Sequence, residues 1–450
     1  MSSLSRRSLL GGALGLGASA VLLSACGRGG SGGGGGSSSG AVDLMYDWTY
    51  NGPPGTVAEY WSQVRDRLAT AGGARLGGLN EVPFEAIFQS VGAALRAKSG
   101  PSLATWYSDF FTFDLAHKSS IAPLDEYVGA GETGHWLLAS TKSDGAYYGA
   151  PHVIEAMGLV INRKLFDRAG VKVEGRFESY EAFIEACDRL VAAGITPIQA
   201  GTSDGIGAEG WFMLEKLQVC DSPAELLRVV TGDVPVRDSL YAPVVSNATV
   251  LRDKYINAAP NNDTNQDAVN KFLRGGAAMA LMLPAAMADP AIGSEFELIG
   301  FPASAAKMNR EALGAGDTVM IMGYADDKAQ AGEVIRFLHQ PEQLQLWWEL
   351  TGSLPADDRF DSSVLPERLK TLWAMITGGA RGEYSLWWPD NFYPSTVALP
   401  LIGAMQQMFA GAANADQTLT KIDDVFAKFR QQNPGELDVV RAFAKTLETS

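Results

Sequence analysis

Aromatic side chains lie beside acids at several places in the sequence where turn residues predict loops. These positions are Trp48, Trp106 with Asp109, Tyr147 and Tyr148 before Glu155, Trp211, and Trp387 and Trp388 with Asp390 and Tyr393. An aromatic ring suits the apolar face of a sugar ring, and a carboxylate accepts hydrogen bonds from the sugar's hydroxyl groups. A single tryptophan is more often a core residue, but the repeated pattern indicates a carbohydrate-binding site.

A second candidate chemistry is that of a serine hydrolase. The segment Gly201–Gly205 fits the Gly-x-Ser-x-Gly pattern of a nucleophile elbow, with Ser203 as the nucleophile, between a predicted strand and a predicted helix. Such an enzyme needs a histidine, and His339 is the only one that follows Ser203 in the sequence. His339 is expected at the end of a helix, where the helix dipole favours it. The hydrolase therefore stays as the less favoured alternative.

Metal chemistry is not indicated by the sequence. The segment Asp263–Asp267 resembles the start of a calcium loop, but Ala268 stands where a glycine is required and Arg274 where a bidentate glutamate is required. No cysteine pair has the spacing of zinc ligands. We expect no metal and no cofactor.

Composition places the chain among globular proteins and excludes some partners. Its 450 residues are 46% hydrophobic and 19% charged, with a net charge of −15, and this length predicts two lobes or domains. No basic stripe is present, so we expect no binding to nucleic acid. Cys187 and Cys220 are interpreted as buried small hydrophobic residues, and the sequence leaves open whether they pair.

Residues 1–25 have the pattern of an export signal. Arg6 and Arg7 lie in a context close to a twin-arginine signal, and a glycine-rich apolar stretch follows. The sequence Leu23–Cys26 matches the bacterial lipobox, so Cys26 is the expected lipidation site, and residues 26–40 comprise this cysteine and a flexible Gly/Ser tether. We expect an exported protein that is lipid-anchored on the outer face of the cytoplasmic membrane.

Predicted strands alternate with helices along the rest of the chain, which indicates an α/β fold with a parallel sheet. The main predicted strands are Val42–Trp48, Ser102–Trp106, Met157–Ile161, Ala277–Leu283 and Asp317–Tyr324. Ligands of such sheets bind outside the carboxyl ends of the strands, which is where Trp48, Trp106 and Asp109 fall. Trp211 is expected to follow the glycine-rich loop Ala200–Gly210 and to open a helix.

Three segments resemble the sugar-binding family of extracellular solute-binding proteins of ABC transporters. Gly100–Asp109 is similar to the family's Gly-x-Pro-Asp strand and its ligand residues. Tyr148–Phe166 is similar to the segment that crosses between lobes, including its acid at Glu155, and Gly275–Pro284 is similar to a Gly-x-Ala-Ala-Met strand. Ala285 stands where many members have a stacking tryptophan, so the identity of the sugar stays open.

The resemblance implies a two-lobe periplasmic-binding-protein fold of type II, the Venus-flytrap arrangement, with ligand in the cleft between the lobes. Lobe 1 would comprise residues 41–150 and 302–352, and lobe 2 residues 151–301 and 353–450. Hinge crossings would lie near Pro151, Pro302 and Gly352, where backbone dihedrals absorb closure.

The resemblance also implies roles for individual residues and partners. Asp109 and Glu155 would bind sugar hydroxyls from opposite lobes, and stacking faces would come from Trp48, Trp211 and Trp388. The remaining candidate ligand-binding residues are Trp106, Asp317 and Tyr393. The protein would be a monomer and would not be an enzyme. Its closed form would deliver the sugar to the permease subunits of an ABC transporter. The alternative within the same fold is a non-sugar solute such as a polyamine or a peptide, held by charge and cation–π contact.

Overall fold

The computed structural model describes residues 40–47, 52–138, 141–220, 222–301, 310–311, 313–380, 385–386 and 389–449. Residues 40–450 form one compact unit. Trp48, Trp388, Pro302 and Cys26 lie outside the described residues, as do the export signal and the tether.

Helices and strands alternate along the first half of the chain, and helices dominate its end. The strands are β1 Ala41–Tyr46, β2 Arg75–Glu81, β3 Leu103–Tyr107, β4 Lys142–Ser143, β5 Ala146–Tyr147, β6 Ala150–Ala156, β7 Gly158–Asn162, β8 Ile198–Gln199, β9 Met279–Met282, β10 Phe296–Ile299, β11 Arg310–Glu311, β12 Leu313–Ile321, β13 Leu354–Pro355 and β14 Ser385–Leu386.

The α-helices are α1 Thr56–Ala71, α2 Phe84–Ala97, α3 Phe110–His117, α4 Asp125–Val128, α5 Ala130–Thr133, α6 Arg163–Arg168, α7 Tyr180–Ala192, α8 Ile206–Val219, α9 Pro223–Thr231, α10 Tyr241–Lys254, α11 Asn265–Leu273, α12 Pro284–Ala288, α13 Lys328–Leu338, α14 Pro341–Thr351, α15 Glu367–Ala380, α16 Ser395–Phe409, α17 Ala415–Gln432 and α18 Pro434–Thr449. Short 3-10 helices span Val236–Asp238, Pro260–Asn262, Ser362–Val364 and Pro389–Phe392.

The strands form two main sheets. The larger has six strands in the order β13-β6-β12-β3-β1-β2, and the smaller has four in the order β10-β7-β9-β8. The prediction of a parallel sheet is wrong in part. Strands β1, β2 and β3 are parallel, but β12 runs antiparallel to both β3 and β6, because the chain returns to this sheet from the opposite direction.

The chain passes directly from the larger sheet to the smaller one at Met157, between the end of β6 and the start of β7. Pro151, near which one crossing was expected, lies inside β6, where it is paired with Thr318. Gly352 ends α14 in the left-handed conformation, with φ of 71°, and β13 follows. The residue ranges assigned above to the two lobes stay a prediction.

Strand alternation explains the packing of the larger sheet, since successive side chains point to opposite faces. Leu44 and Val319 belong to the hydrophobic cluster on one face, and Met45 and Met320 to the cluster on the other face. Another cluster packs β7, β8 and β9 of the smaller sheet against the helices that follow them. A fourth cluster contains residues of both sheets, among them Ile154 of β6 and Val160 of β7.

Local capping matches the sequence at several helix ends. Asn162 accepts a hydrogen bond from the amide of Leu165 at the start of α6, and Ser179 accepts one from Ala182 at the start of α7. Both satisfy an amide that the helix itself leaves without a partner. In the described part of the chain, no helix is both long and apolar enough to cross a membrane.

Candidate functional site

Four acids lie at one edge of the six-stranded sheet. Asp47 and Asp109 follow the carboxyl ends of β1 and β3, while Asp317 of β12 pairs in register with Tyr107 of β3. Glu155, near the carboxyl end of β6, pairs with Ala315 of the same β12. We call Asp47, Asp109, Glu155 and Asp317 the acidic edge. The sheet topology therefore collects acids that are far apart in sequence.

The register also corrects one expectation. Glu155 was expected on the lobe opposite to Asp109, after a turn and before a buried strand. Its backbone instead lies within β6, in the same sheet as β3, because β6 continues to Ala156 before the chain crosses over. The two acids thus belong to the same sheet.

Asp47 is fully buried and has well-defined donors. The hydroxyl groups of Thr105 and Tyr107 both donate hydrogen bonds to its carboxylate, and its own amide donates to the Thr105 hydroxyl at 3.2 Å. Burial raises the pKa of Asp47, and the hydrogen bonds from Tyr107 and Thr105 oppose that rise. Sequence reasoning missed Asp47, although its position after the first strand was the signal used for its neighbour Trp48.

Asp109 is a second buried acid of this edge with a raised pKa. It precedes α3 with a φ of 58°, in the left-handed region that non-glycine residues seldom adopt, and its side chain does not cap the helix. The side chain is only 8% exposed, and the hydroxyl of Ser108 donates to Oδ2 at 2.8 Å. Burial raises the pKa of Asp109 to about 7. Within the described ranges no cation forms an ion pair with it.

Ser108 joins the turn after β3 to β12. Its amide donates to the carbonyl of Gly316, and the Gly316 amide donates to the Ser108 hydroxyl, both at 3.2 Å. A Cβ on Gly316 would stand 2.8 Å from the carbonyl oxygen of Val153, so the close approach of β6 and β12 requires glycine here. Asp317, the next residue, is fully buried. These contacts fix the backbone on which Asp109 and Asp317 stand.

Trp106 is placed in an aromatic cluster beside the acidic edge. Its ring centroid lies 5.2 Å from that of Phe88, 6.2 Å from Tyr107 and 6.5 Å from Phe111. The side chain is buried, and its Nε1–H has no hydrogen-bond partner among the described residues. Phe88 and Phe111 are only partly buried, so the cluster reaches the surface.

Trp211 and Tyr393 lie in the core around the smaller sheet. The expectation that Trp211 ends a loop is wrong, because α8 starts at Ile206 and Trp211 falls in its second turn, 1% exposed and 6.3 Å from Phe301. Tyr393 is fully buried, and its hydroxyl hydrogen-bonds to that of Tyr241 at 2.7 Å. The structure does not bring these two rings to the acidic edge as exposed faces.

The Gly-x-Ser-x-Gly segment is a structural loop. Ser203 is exposed, and its backbone bonds to Asp263 and Gln406. Asp204 accepts hydrogen bonds from the first amides of both α8 and α11. A Cβ on Gly201 would meet the carbonyl oxygen of Thr264 at 2.0 Å, so glycine is needed for this packing.

His339 is not assembled with Ser203 into a catalytic site. It is buried, its Nδ1 bonds to Asp357 at 2.9 Å, and its ring packs against that of Trp136. No hydrogen bond links a histidine to Ser203 in the part of the chain that the structure describes. This finding removes the specific support for the hydrolase alternative.

The acids of the rejected calcium loop have structural partners. Asp267 forms a capping box with Thr264 at the start of α11, and Asp263 pairs with Lys271 at 2.6 Å. No group of three or more histidine, cysteine or acidic residues with the geometry of a metal site occurs among the described residues. Cys187 and Cys220 are both buried, and the structure forms no disulfide between them.

Sequence comparison identifies the family. Residues 79–345 match the model of the bacterial extracellular solute-binding proteins. This match covers more than half of the chain, and the chain therefore belongs to the family of bacterial extracellular solute-binding proteins. No curated protein matches the sequence.

This chain matches several solved structures over almost the whole length of those structures. A chitin oligosaccharide binding protein has 18% identity and a TM-score of 0.72, with 86% of this chain and 98% of that chain covered. The bacterial solute receptor AcbH has 16% identity and a TM-score of 0.72, with coverages of 87% and 99%. A sugar transporter protein from Arthrobacter chlorophenolicus has 15% identity and a TM-score of 0.65, with coverages of 86% and 99%. The predicted α/β fold of two-lobe solute-binding proteins is confirmed.

Proposed function

We propose that this chain is a lipid-anchored receptor that captures a mono- or oligosaccharide in a cleft between its lobes and delivers it to the permease of an ABC transporter. The observation that carries the proposal is the acidic edge, where Asp47 and Asp109 are buried without an ion-pair partner in the described ranges. Vicinal sugar hydroxyls supply several neutral donors to such carboxylates at once.

The similar structures support a sugar as the ligand. The three proteins compared above are a chitin oligosaccharide binding protein, a receptor with a preference for β-D-galactopyranose, and a sugar transporter protein with bound laminaribiose. The aromatic cluster around Trp106 reaches the surface next to the acids, which suits the apolar faces of sugar rings.

In this proposal Asp109 and Glu155 accept hydrogen bonds from the sugar's hydroxyl groups. Trp48 and Trp388 supply stacking faces on either side of the cleft. Asp317 belongs to the same sheet edge. The remaining candidates are Trp106, Trp211 and Tyr393. Because all three are buried, they support the site by packing and do not stack on the sugar.

The transport role follows from the family. The two proposed lobes, with the first boundary moved from Pro151 to Met157 because β6 belongs to the larger sheet, would close around the sugar. Only the closed form touches it from both sides. The closed monomer would then dock on the permease, and the chain itself would catalyse nothing. Lipid attached to Cys26 would keep the receptor near the permease on the outer face of the membrane.

A cationic solute is the second candidate. The same buried carboxylates, without a cation beside them, would also hold an amine, and aromatic rings add cation–π attraction. We give preference to the sugar because the hydroxyl donors that already contact Asp47 and Asp109 are neutral, as sugar hydroxyls are.

The test is a thermal-unfolding panel on residues 40–450, the compact unit of the chain. Saccharides, polyamines, peptides and amino acids are added singly. A ligand at about 100 times its dissociation constant adds about 2.7 kcal/mol to the free energy of unfolding, which is a readable shift. A shift with saccharides supports the proposal, a shift with amines alone supports the second candidate, and no shift with any saccharide contradicts the proposal.

A further inference from the structure

Two phenylalanine rings lie at the acidic edge and are only partly buried. Phe88 is in α2 near its start, and Phe111 is in the first turn of α3. These helices follow the parallel strands β2 and β3, so their first turns lie at the edge of the sheet where those strands end. The ring centroids are 5.3 Å apart. We call Phe88 and Phe111 the phenylalanine pair.

Two buried rings pack against the phenylalanine pair. Phe88 lies 5.2 Å from Trp106 and stacks on Tyr107 at 5.6 Å, with an interplanar angle of 22°. Phe111 contacts the same two rings, at 6.5 and 6.0 Å. Because Trp106 and Tyr107 are each only 5% exposed, they have almost no surface to offer a ligand. The exposed part of this aromatic cluster at the acidic edge is therefore the phenylalanine pair.

The same elements hold the carboxylates and the rings together. The Tyr107 hydroxyl donates a hydrogen bond to Asp47, so the ring that stacks on Phe88 also holds an acid of the edge. Phe111 follows Asp109 by two residues in the chain, and the intervening Phe110 turns away to pack against Phe443. An apolar surface and hydrogen-bond acceptors thus lie side by side, which matches the apolar face and the hydroxyl edge of a sugar ring.

The surroundings of the phenylalanine pair are negative. Glu81, the last residue of β2, is exposed at this edge, and it accepts a hydrogen bond from the hydroxyl of Tyr46 at 3.2 Å. Among the described residues no lysine or arginine forms an ion pair with Glu81, Asp47 or Asp109. A ligand that carries a carboxylate or a phosphate would therefore be repelled here.

We propose that Phe88 and Phe111 stack on the ligand and determine its class, a neutral pyranose with an unbroken C–H face. Phenylalanine has no polar side-chain atom, so the pair recognises only the apolar face of the ring, while the acids bind its hydroxyls. Uronic acids and sugar phosphates are excluded by charge. The inference rests on the proposed function, which leaves the class of sugar open.

The first test measures the affinity of Phe88→Leu, Phe111→Leu and the double variant by calorimetry, with the saccharide found in the panel. Leucine keeps an apolar side chain against Trp106 but has no ring face, so we expect thermal midpoints within a few degrees of the wild type. The affinity should fall about fivefold in each single variant and about tenfold or more in the double variant. Phe111→Tyr keeps the ring and should bind within about twofold of the wild type.

The matched control is Leu95→Ala. Leu95 also lies on α2 and packs partly buried against the same cluster, but near the other end of the helix. A Cβ on Gly100, which precedes β3, would contact the neighbouring Ala94 at 3.5 Å, so this end of α2 lies at the opposite edge of the sheet. Leu95→Ala should lower the thermal midpoint and leave the affinity at the wild-type value.

Two further measurements separate stacking from packing. In saturation-transfer NMR, irradiation of aromatic protons should transfer to the C–H protons on one face of the bound sugar, and the double variant should lose most of this transfer. The uronic acid that corresponds to the bound sugar should bind at least about tenfold more weakly than the neutral sugar.

Two results would overturn the inference alone. One is a well-folded double variant that binds the saccharide as tightly as the wild type and keeps the transfer to its C–H protons. The other is a uronic acid that binds as tightly as the neutral sugar. A wild type that binds no saccharide is a different result, because it overturns the proposed function and this inference with it.

Discussion

Two buried aspartates illustrate two uses of a carboxylate in this fold. Asp357, two residues after β13, accepts hydrogen bonds from Arg359 at 2.9 and 2.7 Å and bonds to His339 at 2.9 Å. Burial alone would raise its pKa, but these partners outweigh burial and hold the pKa at about 2. Asp109 has one neutral donor, Ser108, and burial raises its pKa to about 7.

The difference separates structural acids from candidate binding acids. Asp357 has its counter-charge built in, and Arg359 extends the chain of contacts to Glu132 at 2.6 Å, so the charge stabilises the fold. Asp109 has no cation beside it in the described ranges, so ionising it costs free energy that a ligand's donors can offset. Perturbed groups of this kind concentrate at functional sites, often at the expense of stability.

The largest expected effect is on Asp357. Asp357→Ala leaves Arg359 and His339 without their common partner, and we expect the free energy of unfolding at pH 7 to fall by about 3–5 kcal/mol. Its folded-state pKa is lowered from 3.8 to about 2, so about 2 kcal/mol of this stabilisation depends on pH. That part is present above pH 3.8 and is lost as pH falls through 2. Urea unfolding measures the change.

The matched control for this variant is the next residue along the chain. Asp358 pairs with His135 at 2.7 Å, but both side chains are nearly half exposed, at 49% and 44%. Asp358→Ala should therefore change the free energy of unfolding by less than about 1 kcal/mol. Equal losses in the two variants would show that built-in compensation at Asp357 is not what stabilises the fold.

The next effect has the opposite sign. The folded-state pKa of Asp109 is raised from 3.8 to about 7, so its ionisation costs nothing below pH 3.8, and the cost grows until pH 7 and is complete above it. The shift corresponds to an ionisation cost of about 4 kcal/mol at high pH. Burying the asparagine amide in place of the carboxylate itself costs about 2 kcal/mol, which offsets about half of that gain. Asp109→Asn should therefore be more stable than wild type by about 2 kcal/mol at pH 8, but no more stable than wild type at pH 4, where the ionisation cost is nearly absent. Urea unfolding at both pH values measures the difference.

Glu215 sharpens the comparison, because it is a buried acid with a raised pKa outside the acidic edge. Tyr180 and Asn247 donate to its two oxygens at 2.8 and 3.0 Å, and burial raises its pKa to about 7. Glu215→Gln should raise the free energy of unfolding at pH 8 by only about 1 kcal/mol. The amide nitrogen of glutamine cannot accept a hydrogen bond, so the variant loses the bond from either Tyr180 or Asn247. Its affinity for the ligand should equal that of the wild type by calorimetry. A lost affinity would mean that a raised pKa, rather than place in the sheet, marks the site.

The smallest expected effect is at Ser203. Because this side chain is exposed and the glycines around it serve backbone packing, Ser203→Ala should change stability and affinity by no more than about 0.5 kcal/mol. A fluorophosphonate reagent should leave the wild-type serine unlabelled. Labelling would restore the hydrolase alternative.

Sequence patterns predicted the elements that depend on local signals. Asn162 and Ser179 cap helices, as asparagine and serine commonly do, and Asp109 directly precedes α3. The start of α8 was misjudged, because the glycines at 207 and 210 have the composition of a loop although they lie inside the helix. Gly210 is there because a Cβ would meet the sulfur of Met157 at 2.3 Å, which is a tertiary reason that local patterns do not contain.

Contacts between residues far apart in the chain could not be predicted from local sequence patterns. Arg359 and Glu132, and Lys216 and Asp390, meet only after folding, from positions far apart in the chain. The register of β12 between β3 and β6 decides that Glu155 and Asp109 share one sheet edge. Asp47 was predictable in principle, since an acid directly after the first parallel strand falls at the edge where ligands bind.

We infer that Asp109 has no cation beside it among the described residues because a ligand supplies its hydrogen-bond partners. The most direct test is calorimetric measurement of the dissociation constant for the best saccharide in the panel, with wild type, Asp109→Asn and the control Asp114→Asn. Asp114 lies on the same helix but is already paired with Lys118 at 2.6 Å. We predict that Asp109→Asn binds about a hundredfold more weakly although it is more stable, while Asp114→Asn binds normally. Wild-type affinity in Asp109→Asn would contradict the account.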